Sequence, residues 1–205
     1  MAGKGLSVFA CAKRTVENGK DKYSDYGINA QMVSYSTSIT STESDAFYAD
    51  DGIREPGEKS FDSGTLTIST DDLSQEMSKK ILSVKEKNFD IDGQQITELI
   101  FDEETAGKPL GVGVIETHQV GGVTSYRPVW FPYVVPQIPA DAADTKGKSI
   151  SWKAPSITFD IYRGATYEET ENGVRCPWKR TAEVPTLAMA KKCLEYWGNN
   201  ETPIN

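Results

Sequence analysis

Three kinds of residue grouping in this chain could do chemistry. Residues 44–52, SDAFYADDG, set two aromatics ahead of the adjacent carboxylates Asp50 and Asp51, and a second acidic pair, Glu103 and Glu104, follows later. A lone histidine, His118, could serve as a base. Residues 88–99, NFDIDGQQITEL, carry oxygen donors at positions one, three and five (Asn88, Asp90, Asp92) and Gly93 at six, as a calcium-binding EF-hand loop does.

Each grouping lacks something its chemistry needs. Neighbours on an extended chain point to opposite sides, so neither acidic pair forms a two-carboxylate site alone. His118 has no GxSxG elbow with it, and the pattern reads it as a solvated histidine near a hairpin tip. The calcium loop should end in a bidentate glutamate at position twelve, where Leu99 stands instead, with Glu98 one short. Asn88, Asp90 and Asp92 are therefore a weak calcium candidate, and a glycine turn from helix into strand explains the same residues. No catalytic residue, cofactor or resident metal is expected, and an enzyme is disfavoured.

The elements that would position these groups are mostly strands. Residues 6–14 are apolar and β-compatible, and Asn18-Gly19 signals a turn. Residues 32–40, MVSYSTSIT, alternate with period two, which predicts a half-buried strand. Residues 41–59 form a long polar connection to a strand over 60–69. A helix is expected over about 70–86, capped by Ser69 or Thr70, with Leu73, Met77, Ile81 and Val84 as its apolar stripe. Strand-like runs follow at 95–101, 110–120, 123–135 and 149–162, with Gly121-Gly122 as a tight turn. Pro128 and Pro132 should make their strand an edge, bulged or interrupted. Leu187, Ala190, Leu194 and Trp197 mark a short C-terminal helix at about 186–197, closed by Gly198. The expectation is one domain over 1–205: a mainly β, antiparallel sandwich or barrel flanked by one helix, with a short C-terminal helix.

Bulk properties narrow the partners. The 205 residues hold 30 acids against 22 bases, a net charge of −8. That disfavours a duplex-gripping footprint and an anionic membrane surface. Three cysteines without CxxC spacing disfavour a disulfide framework or zinc site and suit a reducing compartment. Ala10-Cys11-Ala12 mimics a signal-peptide cleavage site, but the apolar run before it is short and broken by Ser7, so it reads as strand.

Several stretches together resemble one family. FYADDG after a strand, then SFDSGTLTISTDDLSQEMSKKILS, resembles the centre of the major tail proteins of long-tailed, siphovirus-type phages. GVGVIETHQVGGVTSYRPVWFPYVV, the Thr-Lys-Gly turn at 145–147 and SITFDI resemble their later half, and Trp178 followed by a helix ending Leu194-Glu195-Tyr196-Trp197 resembles their ending. The likeness runs from about Ser34 onward. It implies a virion protein, made in the host cytoplasm, with no catalytic residues. Six copies would form a ring, and rings would stack into a hollow tail tube. Implied partners are further copies, a tape-measure protein in the lumen, terminator and distal tail proteins at the ends, and double-stranded DNA passing without sequence-specific binding. A ring of six carries about −48, six times −8, which suits a bore that lets DNA slide. The alternatives are another tail or baseplate structural module and a carbohydrate-binding β-sandwich.

Aromatics and arginine usually anchor interfaces. Phe47, Tyr48, Asp50, Asp51, Arg54 and Glu55 on the 41–59 assembly loop are therefore the expected inter-subunit contacts. Phe47 or Tyr48 pinning the loop to its own core is the competing reading. Glu116, His118, Gly121 and Gly122 form a hairpin expected to face either the lumen or a neighbour.

Overall fold

The computed structural model describes residues 2–43, 47–49, 52–55, 59–71, 74–138, 154–165, 168–170 and 173–201. Their elements, in chain order, are β1 (Ala2–Glu17), β2 (Lys20–Ala30), β3 (Met32–Glu43), β4 (Phe47–Ala49), β5 (Gly52–Glu55), β6 (Lys59–Thr70) and α1 (Gln75–Ile81). Then follow β7 (Lys85–Ile91), β8 (Gln94–Ile100), β9 (Leu110–Val120), β10 (Val123–Pro136), β11 (Ser156–Tyr162), β12 (Glu168–Thr170), β13 (Gly173–Arg175), β14 (Arg180–Thr181) and α2 (Leu187–Gly198). The mainly β, antiparallel architecture with a flanking helix and a short C-terminal helix is as the sequence predicts.

One antiparallel sheet runs β2-β1-β9-β10-β11-β6-β3, with β14 beside β10. Only Gln31 separates β2 from β3, yet these strands are the two ends of the sheet. The sheet must therefore fold over so that its first and last strands meet at that corner. Between the layers lies the larger core, built from Phe9, Leu66, Val112, Phe131, Ile157 and Phe159 among others. Phe9 and Phe159 meet with ring centroids 6.3 Å apart. Met77 and Ile81 of α1 join this core.

A second, smaller core lies on the other face of the sheet, where Ala190, Leu194 and Trp197 of α2 pack on Ala10, Ala12, Ile115 and Trp130. The glycines of the GVGV run make this packing feasible. A side chain at Gly111 or Gly113 would collide with the Trp130 ring. Each buried aromatic of this kind contributes about 1.5–3 kcal/mol.

Several boundaries differ from expectation for identifiable reasons. Helix α1 is confined to Gln75–Ile81 and is capped by Ser74, whose side chain accepts from the Met77 N–H, rather than by Ser69 or Thr70. Ser69 and Thr70 instead belong to β6. Residues 85–91 are strand, paired from Lys85↔Ile100 to Ile91↔Gln94 with β8, so the expected helix loses its last residues. The 41–59 connection is not one long loop. Strands β3 and β6 stay paired as far as Glu43↔Lys59, and β4 pairs β5 between them. Of the forms expected for the proline-bearing strand, β10 is not an edge but is irregular, as its register shift between Phe131 and Val134 brackets Pro132. At Pro128 its other neighbour is only the short β14 segment, not the long β11. Gly198 ends α2 but does not reverse it. A side chain there would collide with the Tyr26 ring, and the left-handed residues are Asn200 and Glu201 beyond it.

Candidate assembly surfaces

The expected interface residues fall on a small hairpin. Phe47 and Tyr48 lie in β4, Arg54 and Glu55 in β5, with Phe47↔Glu55 and Tyr48↔Ile53 as partners and a bulge between Phe47 and Tyr48. This hairpin is inserted between the paired ends of β3 and β6, where Lys59 Nζ lies 3.4 Å from Glu43. The pairing thus brings four of the six expected residues together on one two-stranded hairpin. Asp50 and Asp51 lie outside the described residues.

Gly121 and Gly122 form the β9–β10 turn, with φ of 57° and 85°, and exposed Val120 and Val123 flank it. Glu116 and His118 do not share that exposure. Both continue the inward row of Leu110, Val112 and Val114 along β9, and His118 is buried, not solvated. The Glu116 carboxylate accepts from the Tyr35 hydroxyl of β3 and lies 2.8 Å from His118 Nε2 and 3.7 Å from Arg127 Nη1. Burial alone would raise the Glu116 pKa. Hydrogen bonds from Tyr35 and His118 and the nearby charges reverse this and hold it below the usual value. Burial and the same carboxylate push the Tyr35 phenol up. His118 Nδ1 is buried without a hydrogen-bond partner. The cluster clasps the two layers of the sandwich at the end where the apolar core runs out. It borders an open cleft of about 590 Å³ that Arg127, Trp178 and Lys179 also line.

The calcium-like spacing belongs to a hairpin. Asn88 Oδ1 accepts from the Thr97 hydroxyl at 2.8 Å and Asp90 Oδ1 from the Gly93 N–H at 3.0 Å, while Asp92 and Gly93 make the turn with φ of 53° and 78°. Among the described residues no three His, Cys, Asp or Glu side chains converge so as to hold a metal ion. Glu104, of the second acidic pair, is bound to Lys85 at 2.9 Å, and Asp102 shares the same lysine at 2.7 Å. The three cysteines are free, and burial pushes the Cys11 thiol up to about 11, so it stays protonated.

Three further surfaces went unnoticed in the sequence. The first is β3, expected to be half-buried. Only Met32 and Tyr35 are partly covered, while Val33 is 57% and Ile39 38% exposed on a strand that ends the sheet. The second is the β7–β8 hairpin, which pairs with no other strand among the described residues. Its register puts Phe89, Ile91 and Ile96 on one face, all exposed. The third is the outer stripe of α2, where Met189, Cys193 and Tyr196 line an apolar groove of about 250 Å³. The exposed apolar residues of these elements are readable in the sequence. Their exposure is not, because period two and helical spacing look alike whether or not a layer covers them.

Among the described residues no helix is long and apolar enough to cross a membrane. Compared with known proteins, the chain matches no family model and no curated protein.

Proposed function

We propose that this chain is a structural subunit that assembles with copies of itself, of the kind that forms the tail tube of siphovirus-type phages. The observation that carries the reading is the end strand β3, whose outer edge pairs with no other strand among the described residues and whose Val33 and Ile39 are exposed. An unpaired edge with apolar side chains is a pairing site for another chain, and natural proteins leave such edges open where a partner closes them. The β4–β5 hairpin, carrying Phe47 and Tyr48, adds a second surface for a neighbouring copy to grip. The motif order of the sequence supplies the tube identity: ring of six, stacked rings, a lumen for a tape-measure protein and then DNA, in the virion.

Negative-stain microscopy of the purified chain tests this. Rings or tubes are expected from the native sequence. A Phe47→Ala, Tyr48→Ala double variant should stay folded by circular dichroism yet form no tubes. Tubes of normal length and number from that variant would remove the hairpin from the assembly contacts.

A further inference from the structure

The charges of this chain are divided between two parts of the fold. Residues 1–30 hold five bases against three acids, and residues 173–205 hold five against three. Residues 31–172 hold twelve bases against twenty-four acids. The first and last of these segments come together, because α2 packs on β1 and β2 as well as on β9 and β10. In a molecule with net −8, the two net-positive segments therefore lie together.

Two exposed apolar patches lie in regions of opposite charge. In the net-positive segments, the α2 groove is lined by Met189, Lys192, Cys193, Tyr196 and Trp197, and Met189 is 47% exposed. Trp197 also borders a neighbouring cavity of about 290 Å³ whose rim includes Lys20, Lys22 and Arg180. Arg180 is bound to Glu201 at 2.8 Å, whereas Lys20 and Lys22 make no ion pair among the described residues. In the net-negative segment, the β7–β8 hairpin shows Phe89, Ile91 and Ile96 on one face, with Ile91 50% exposed. Glu98 shares that face with Lys87, which lies opposite it, and Asp92 stands at the tip; among the described residues neither carboxylate is in an ion pair. A lone two-stranded hairpin is at best marginally stable in water, so an apolar face on one calls for a cover. A dry apolar centre with a charged rim is the usual anatomy of a protein interface.

We infer that the β7–β8 hairpin of one copy docks on the α2 face of another. Phe89, Ile91 and Ile96 would seat in the groove beside Met189 and Tyr196, and Asp92 and Glu98 would meet Lys20 and Lys22. The two surfaces are different, so the contact is head-to-tail, the geometry that generates closed rings or open filaments rather than a two-fold dimer. The inference rests on the reading of the chain as a self-assembling subunit and names one of its contacts.

Charge exchange on the full-length chain tests it, read by sedimentation velocity. Asp92→Asn with Glu98→Lys alters the hairpin, and Lys20→Glu with Lys22→Glu alters the face. All four positions are exposed, so melting temperatures should stay within a few degrees of the parent. Each pair should raise the concentration for half-assembly at least tenfold. An equimolar mixture of the two variants should regain assembly, since the native hairpin of one fits the native face of the other and the two exchanged surfaces also complement each other. A chain carrying all four changes should regain assembly. If both variants assemble as the parent does, the docking is wrong while self-assembly stands. If the parent itself stays monomeric at every concentration, both the docking and the self-assembly reading fall.

Discussion

At the scale of single residues, the chain's only histidine serves architecture. His118 and Tyr35 hold the Glu116 carboxylate between the layers of the sandwich. Truncating one partner of such a buried, charge-assisted set costs about 1.5–3 kcal/mol. Tyr35→Phe should therefore lower stability by about that much in a urea titration at pH 7. The pH dependence follows from the lowered Glu116 pKa. A carboxyl held below its unfolded value stabilises the fold above that unfolded value, and the contribution disappears as pH falls through the folded one. Glu116→Gln should accordingly flatten the acid side of the stability profile below about pH 4.3. An unchanged acid limb would mean the carboxylate is not held as described. Packing gives a second residue-scale test. Gly113→Ala would drive a methyl group into Trp130 and Leu194. Overpacking of this kind costs about 1–3 kcal/mol, and a urea midpoint equal to the parent's would contradict the packing of the second core.

At the scale of elements, the hairpin β7–β8 is separable from the body. Its base is tied by Ser83 N–H to the Ala106 carbonyl at 2.8 Å and Lys108 N–H to the Ile81 carbonyl at 2.9 Å. Replacing residues 86–99 with a short turn should therefore leave the melting temperature within a few degrees while reducing assembly. A collapse of the fold on shortening would show the hairpin to be part of the core. The same reasoning applies to β3: Val33→Lys with Ile39→Lys should suppress assembly without loss of stability, since lysine on an edge blocks pairing.

How much of these elements the sequence reveals depends on what covers them. The β9–β10 hairpin is plain in it, because Gly121-Gly122 separates two apolar runs that are both buried. The stripe of α2 is plain for the same reason, through Ala190, Leu194 and Trp197. β2 is obscured by Lys20, Asp21, Lys22 and Asp25. Its pairing is held by the fit to β1 and by the Arg14–Asp21 ion pair at 2.5 Å, not by an apolar alternation. The start of β7 falls within the expected helix over about 70–86, because Ile81 and Val84 keep helical spacing up to it. Of the expected interface set, Phe47, Tyr48, Arg54 and Glu55 do share one hairpin, which loop length alone suggested without giving its form. The inward turn of Glu116 and His118 was not legible, since a polar pair near a turn ordinarily faces water.

At the scale of the whole molecule, an open sheet edge, a hairpin inserted beside it and a divided charge distribution together favour association with further copies. Opposed charges steer such contacts and weaken as salt rises, with a screening length of about 8 Å at physiological ionic strength. Raising salt to about 1 M, where that length is about 3 Å, should therefore shift assembly toward smaller species. The measurement that tests the central claim most directly is sedimentation velocity of the purified full-length chain over a wide concentration range. Growth from monomer to closed rings or longer polymers is the predicted result. A single monomeric species throughout, at every salt concentration, would contradict the claim.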